Sequence, residues 1–191
     1  MSEAKPYHHG DLRAALLAAA ESELAERGIE GFSLRSVAKR AGVSHAAPAH
    51  HFGDADGLLT TLATDGFHRF LACQHQREAK AEPDPISQLV AAGLGYVDFA
   101  LERPALFRLI FSSSRPKSED PGLLAAGAAS YGHLAEQVTT ANGGAADVAA
   151  AWAMAHGLAD LVMSGKLHTI AEMEPGERDA VLAALIRRAL P

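Results

Sequence analysis

Apolar positions along this chain recur at three- and four-residue intervals, and nowhere do they alternate as strand positions would. Leu12, Leu16, Ala20 and Leu24 line one face of a helix predicted over about 11–27. Asp11 supplies negative charge at its start and Gly28 stops it. Ile29 and Phe32 follow as short apolar plugs. Ser33 is expected to cap a second helix through Ala41, with Leu34, Val37, Ala38 and Ala41 inward, and Gly42 ends it. Val43 is an inward anchor. Ser44 is expected to cap a third short helix over about 45–51, with Pro48 in or just beyond its first turn.

Asp54 opens a long fourth helix, about 55–79, carrying Leu58, Leu59, Leu62, Phe67, Phe70 and Leu71. Asp84-Pro85 starts a helix to about Glu102, and Arg103-Pro104 starts a short one through Phe111. The polar stretch from Ser112 to Glu119 reads as a mobile loop. Asp120-Pro121 opens a helix to about Thr140, and Asn142-Gly143-Gly144 breaks it. Asp147 is expected to cap the next helix, to about Gly165, and a last one covers about 175–190. Alanine, the best helix former, occurs 40 times against 11 aromatic residues, so the fold class is all-α.

Composition adds exclusions. A hydrophobic share of 48% and a charged share of 21% are ordinary for a globular chain. The single cysteine, Cys73, rules out an internal disulfide framework and a multi-cysteine zinc site, fits a reducing cytoplasm, and reads as inert packing. The first residues hold no apolar signal core. The most apolar stretch, 145–163, contains Asp147, His156 and Asp160, so it reads as a buried helix and no membrane contact is expected.

A net charge of −6 is the wrong sign for a nucleic-acid binder, but its distribution changes that view. Residues 1–52 hold six bases against six acids, and Ser33 to Phe52 holds Arg35, Lys39 and Arg40 with no acid. Two short helices joined by Ala41-Gly42-Val43-Ser44 then make a helix-turn-helix whose second helix is polar. Any αα-hairpin of a bundle would share the outline; the acid-free basic face favours DNA.

The run Gly31-Phe32-Ser33-Leu34-Arg35-Ser36-Val37-Ala38-Lys39-Arg40-Ala41-Gly42-Val43-Ser44, followed by His51-Phe52, resembles the DNA-binding signature of TetR-type transcriptional regulators. Tyr7 to Arg13, and Trp152 to Gly157, resemble the subgroup with a WHG-type C-terminal domain. The resemblance implies a cytoplasmic, all-helical homodimer that represses transcription until a small-molecule effector binds. Residues 1–54 would be a three-helix DNA-binding domain and 55–191 the effector-binding and dimerisation domain. Ser44, His45, Ala46, Ala47 and His50 would lie near bases or flanking phosphates of a double-stranded operator. Ser33 and Arg35 would approach the backbone, Lys39 would support phosphate binding, and His51 would contact phosphate or brace the helix. Ala49 stands where the family usually has an aromatic residue, and Ala55 where it often has a lysine. Those departures motivate an alternative, a helical interaction module with weakened DNA binding.

The effector cavity is expected among the helices from Ala55 to Leu134. Phe67, Phe70, Tyr96, Phe99, Phe107, Phe111 and Tyr131 are its candidate walls, and Arg108 and His133 its candidate anchors. Trp152 and His156 recur at i, i+4 with Asp160 and read as core or dimer face, with an effector border as the functional version. Leu158, Leu161, Val162, Leu182, Leu185 and Ile186 are the candidate dimer contacts. No nucleophile elbow, Gly-rich phosphate loop or metal-spaced carboxylate pair points to an enzyme. His8-His9 and His50-His51 make no ligand set, since adjacent residues do not share a helix face, and neither metal nor cofactor is expected.

The second helix of the motif has no Arg or Gln for a bidentate base contact, so direct readout must come from Ser44 and the histidines, with part of the specificity indirect or water-mediated. Imidazole in water titrates near about 6.5, and its protonated form attracts phosphate. Operator affinity at fixed salt is therefore expected to be higher at pH 6 than at pH 8; equal affinities would remove histidine charge from the account.

Overall fold

The computed structural model describes residues 9–190, with side chains from 12 to 190. Tyr7, His8 and the side chains of His9 and Asp11, which carry part of the opening motif and the expected first cap, lie outside the described residues. The helices are α1 (His9–Arg27), α2 (Leu34–Ala41), α3 (Ala47–Phe52), α4 (Ala55–Glu78), α5 (Pro85–Glu102), α6 (Pro104–Ser112), α7 (Pro121–Thr140), α8 (Ala145–Met163), α9 (His168–Ala171) and α10 (Pro175–Arg187). No strand occurs among the described residues, so the chain is all-α.

Local chemistry sets most helix starts. Ser33, Asp54, Asp84 and Asp120 each accept a backbone N–H from three residues ahead, and Pro85 and Pro121 fill first positions where no donor is needed. Two caps differ from expectation. Asp147 is not the cap of α8; Gly144 is, and Asp147 reaches back from the third position to accept the Gly144 N–H at 2.7 Å. Ser44 does not cap α3, which begins at Ala47. Pro48 lacks the N–H that would bond the Ser44 carbonyl, so that carbonyl takes the Ala47 N–H instead, at 3.0 Å.

The loop between α6 and α7 also departs from expectation, because it is pinned. Arg115 bonds Asp56 at 2.7 Å and the Ile29 carbonyl at 3.1 Å. The Lys117 backbone N–H donates to Thr60, and its ammonium meets Asp54. The Gly57 N–H and Lys117 hold the Asp54 carboxyl below its usual range.

α5 is apolar on nearly every side, and a helix of that kind belongs inside. It packs against α4, α6, α7, α8 and α10. One core runs from α1 (Leu16, Ala20, Leu24) through α4 (Leu58, Leu59, Leu62) to α5 and α6 (Phe99, Phe107) and on to α8 and α10. Leu158, Val162, Leu182 and Ile186 are buried in this core, so of the expected dimer contacts only Leu161 is exposed, with Leu185 half-buried.

α4 and α5 approach so closely at Gly95 that a Cβ there would lie 2.7 Å from the Cys73 carbonyl oxygen and from the Gln74 Cα. Gly132 of α7, by contrast, has nothing within 4 Å of that point. Gly95→Ala is therefore expected to cost about 1–3 kcal/mol by overpacking. Gly132→Ala is expected to gain about 0.5–1 kcal/mol from helix propensity. Thermal unfolding of the two variants checks both signs.

Candidate nucleic-acid interface and binding cavity

α2 and α3 build a small unit packed against α1 and α4. Ser33 caps α2 by accepting the Ser36 N–H at 3.2 Å, and its own hydroxyl donates to Ser36 Oγ at 2.9 Å. Gly42 turns the chain with φ +67°, and the Val43 N–H closes on the Ala38 carbonyl. Pro48 is the buried anchor of α3. Around it Ser44, His45, Ala46 and His50 are exposed, while Ala47 and His51 are half-buried. The His50 and His51 rings meet edge to face at 5.5 Å, and the Arg13 guanidinium lies over Phe52.

The three bases of this segment are not equivalent. Arg40 bonds Glu26 at 2.8 Å and the buried Glu23 at 3.2 Å, with Arg27 on the other side of Glu23 at 3.1 Å. Its charge is spent on clamping α2 to α1, and the same bonds hold the Glu26 carboxyl below its usual range. Arg35 and Lys39 are exposed and make no ion pair among the described residues. An acid-free surface of two bases and several imidazoles remains.

A cavity of about 320 Å³ lies between α4, α5, α6, α7, α8 and α10. Phe67, Phe70, Tyr96, Phe111, Tyr131 and Trp152 line it, and the exposed Tyr131 and Trp152 rings pair across 6.3 Å. Five other expected residues lie elsewhere. Phe99 and Phe107 are core, because they sit on faces of α5 and α6 turned to the interior. Arg108 is exposed and off the wall, as a charge on a short amphipathic helix must be. His133 is drawn to Glu78 at 2.7 Å. His156 stacks on Phe107, and its Nδ1 lies 2.7 Å from the Tyr96 hydroxyl. Burial pushes the Tyr96 phenol up, so that hydroxyl stays neutral.

Gln74 is a wall residue that its sequence context conceals. It is 6% exposed, its Nε2 donates to the Ala92 carbonyl at 3.3 Å, and its Oε1 is buried without a partner. The only clue in the sequence is a neutral amide one position from Cys73 on a long helix. Burial pushes the Cys73 thiol up, away from the reactive thiolate.

Residues 16–62 match the bacterial regulatory proteins of the tetR family. Residues 89–189, more than half of the chain, match the tetracyclin repressor-like C-terminal domain. The HTH-type transcriptional regulator BetI of Burkholderia ambifaria is 39% identical over 79 residues, and the match spans 41% of each chain. A protein with unknown function from Rhodococcus sp. RHA1 is 35% identical, with a TM-score of 0.81 over 98% of this chain and 99% of that one. A TetR-like transcriptional regulator from Rhodococcus sp. RHA1 shares the fold at 17% identity, with a TM-score of 0.68 over 95% and 97% of the two chains. Matched along both its N-terminal helices and its C-terminal bundle, the chain belongs to the TetR family of bacterial regulatory proteins.

Proposed function

We propose that this protein is a cytoplasmic DNA-binding repressor, a homodimer released from a two-fold operator by a small, mainly apolar effector. Residues 1–54 read the DNA, and 55–191 hold the effector and the partner copy. The observation that carries this reading is the exposed, acid-free face from Ser33 to His51, in which Arg35 and Lys39 keep their charges unpaired among the described residues. α3 enters the major groove, with Ser44, His45 and His50 at base edges or phosphates and Ala46 or Ala47 against a thymine methyl. Ser33, Arg35, Lys39 and His51 hold the backbone.

The cavity supports the effector half of the reading. Its size suits one small ligand. The Tyr96 and Ser130 hydroxyls are engaged with His156 and the Ala126 carbonyl, which leaves Gln74 Oε1 as the buried acceptor without a partner. An aromatic or aliphatic molecule with one hydrogen-bond donor fits. Among the described residues no helix is long and apolar enough to cross a membrane.

Electrostatics give the first test. Arg35→Ala and Lys39→Ala are each expected to weaken binding to the protein's own promoter across all sequences and to lower the salt slope by about one. Arg40→Ala is expected to act mainly through stability, as a lower melting temperature. Salt slopes unchanged in both Arg35→Ala and Lys39→Ala would favour an interaction module over a DNA-binding protein.

The exposed face of α8, with Ala149, Trp152, Ala153 and Leu161, is the proposed seat of the partner copy, joined by Ala180 and Ala184 of α10. Leu161→Arg places a charge there without touching the core. It is expected to convert dimer to monomer in sedimentation equilibrium with helix content unchanged; an intact dimer would move the interface elsewhere.

A further inference from the structure

The C-terminal end of α4 and the second half of α7 bring together four polar side chains that belong neither to the DNA face nor to the lining of the cavity. His75 and Glu78 are three residues apart on α4, and His133 and Gln137 four apart on α7, so each pair shares a helix face. His75 Nδ1 lies 2.9 Å from Glu78 Oε2, and His133 Nε2 lies 2.7 Å from Glu78 Oε1. The Gln137 amide nitrogen lies 2.8 Å from Glu78 Oε1 and 3.0 Å from His133 Nε2. The Glu78 side chain is 10% exposed and that of His133 17%, while His75 is 54% exposed at the rim.

With Glu78 ionised, no placement of the His133 proton satisfies every contact of this group. A carboxylate only accepts, an amide NH₂ only donates, and one imidazole nitrogen does one or the other. With a proton on Nε2, His133 serves Glu78 but faces the Gln137 donor at 3.0 Å. Without it, the Gln137 bond forms and two lone pairs face each other across 2.7 Å. In either state one contact joins like to like. A cation reverses the balance, because imidazole nitrogens, a carboxylate and an amide oxygen all offer lone pairs. A half-turn of the Gln137 amide, which exchanges two atoms of nearly equal size, brings Oε1 to the Nε2 position.

We propose that His75, Glu78 and His133 bind a divalent transition-metal ion of the zinc class, with Gln137 Oε1 as the fourth donor. Two imidazoles and one carboxylate form a donor set that zinc accepts, at bond lengths of about 2.0–2.2 Å. The three ligand atoms already lie within 4.8 Å of one another, so side-chain rotation alone closes the site. Two nitrogen donors disfavour calcium and magnesium, which take oxygen ligands. The bound ion cross-links α4 to α7, whose contributions stand 55 residues apart in the chain.

Titrating the metal-stripped full-length chain with Zn²⁺ by calorimetry, and with Co²⁺ by absorption, tests the assignment. One ion per chain is expected, with visible d–d bands for Co²⁺ and a higher melting temperature with Zn²⁺. His75→Ala and His133→Ala are each expected to weaken Zn²⁺ about tenfold or more and to lose the Co²⁺ bands. His168→Ala, on the exposed α9, should leave both signals unchanged. If His133→Ala fails to fold, the exposed His75→Ala decides, with circular dichroism as the check. Binding of undiminished affinity in both variants, or no binding by the parent chain, overturns the site.

Discussion

Helix α4 belongs to two environments at once, and the rest of the structure hangs on its remaining one rigid rod. Its first turns bury Leu58, Leu59 and Leu62 against α1. Its later turns put Phe67, Phe70 and Gln74 on the cavity wall. A displacement at the cavity therefore reaches the α1–α3 unit through a single packed element with no hinge glycine in a left-handed conformation along its length. The pinned α6–α7 loop makes a second connection. Ile110 and Phe111 line the cavity just before it, and Arg115 and Lys117 fasten it to Asp54, Asp56 and the Ile29 carbonyl. The proposed effector would act through such connections only by favouring one arrangement of the rods over another.

The acidic balance of the chain and its basic probe are reconciled by where the acids go. Glu21 holds Arg69 and Arg103, Glu23 and Glu26 hold Arg27 and Arg40, and Asp98 and Asp179 hold Arg77. All but Glu23–Arg27, which lies within α1, fasten helix to helix, and together they take most of those arginines out of the long-range field. Arg35 and Lys39, without such neighbours, dominate the potential at α2 and α3 although the whole molecule carries −6.

Features set by neighbouring residues were legible in the sequence. Asp84-Pro85, Asp120-Pro121 and the Ser33 and Asp54 caps read directly, because an N-cap bond closes within three residues. Start signals failed where two local rules competed. At α3 the missing Pro48 donor overrode the preference of Ser44, and at α8 the bare Gly144 backbone left Asp147 free to reach back. Tertiary facts were harder to read. Periodicity names the apolar residues of α5 but not which of its buried sides meets the cavity, so Tyr96 and Phe99 look alike in sequence and part in space. His133 reads as a polar anchor until its partner, Glu78, is known, and nothing in its own neighbourhood supplies that partner.

For the effector proposed above, a few polar groups in the cavity would set chemical selectivity. Its walls are mostly aromatic and aliphatic, so shape admits many apolar molecules. The Ser130 proton is engaged with the Ala126 carbonyl and the Tyr96 hydroxyl with His156, so a ligand that took the Ser130 proton would break a bond already made, while both oxygens keep lone pairs. Gln74 Oε1 is different, because its amide nitrogen is tied to the Ala92 carbonyl and the oxygen has nothing. A ligand offering a donor repairs that deficit, whereas an isostere without one seals the oxygen from water at a cost of about 1–3 kcal/mol. For the proposed effector, that one unpaired oxygen would separate two otherwise equal ligands at least as sharply as one added methylene, worth about 0.8 kcal/mol.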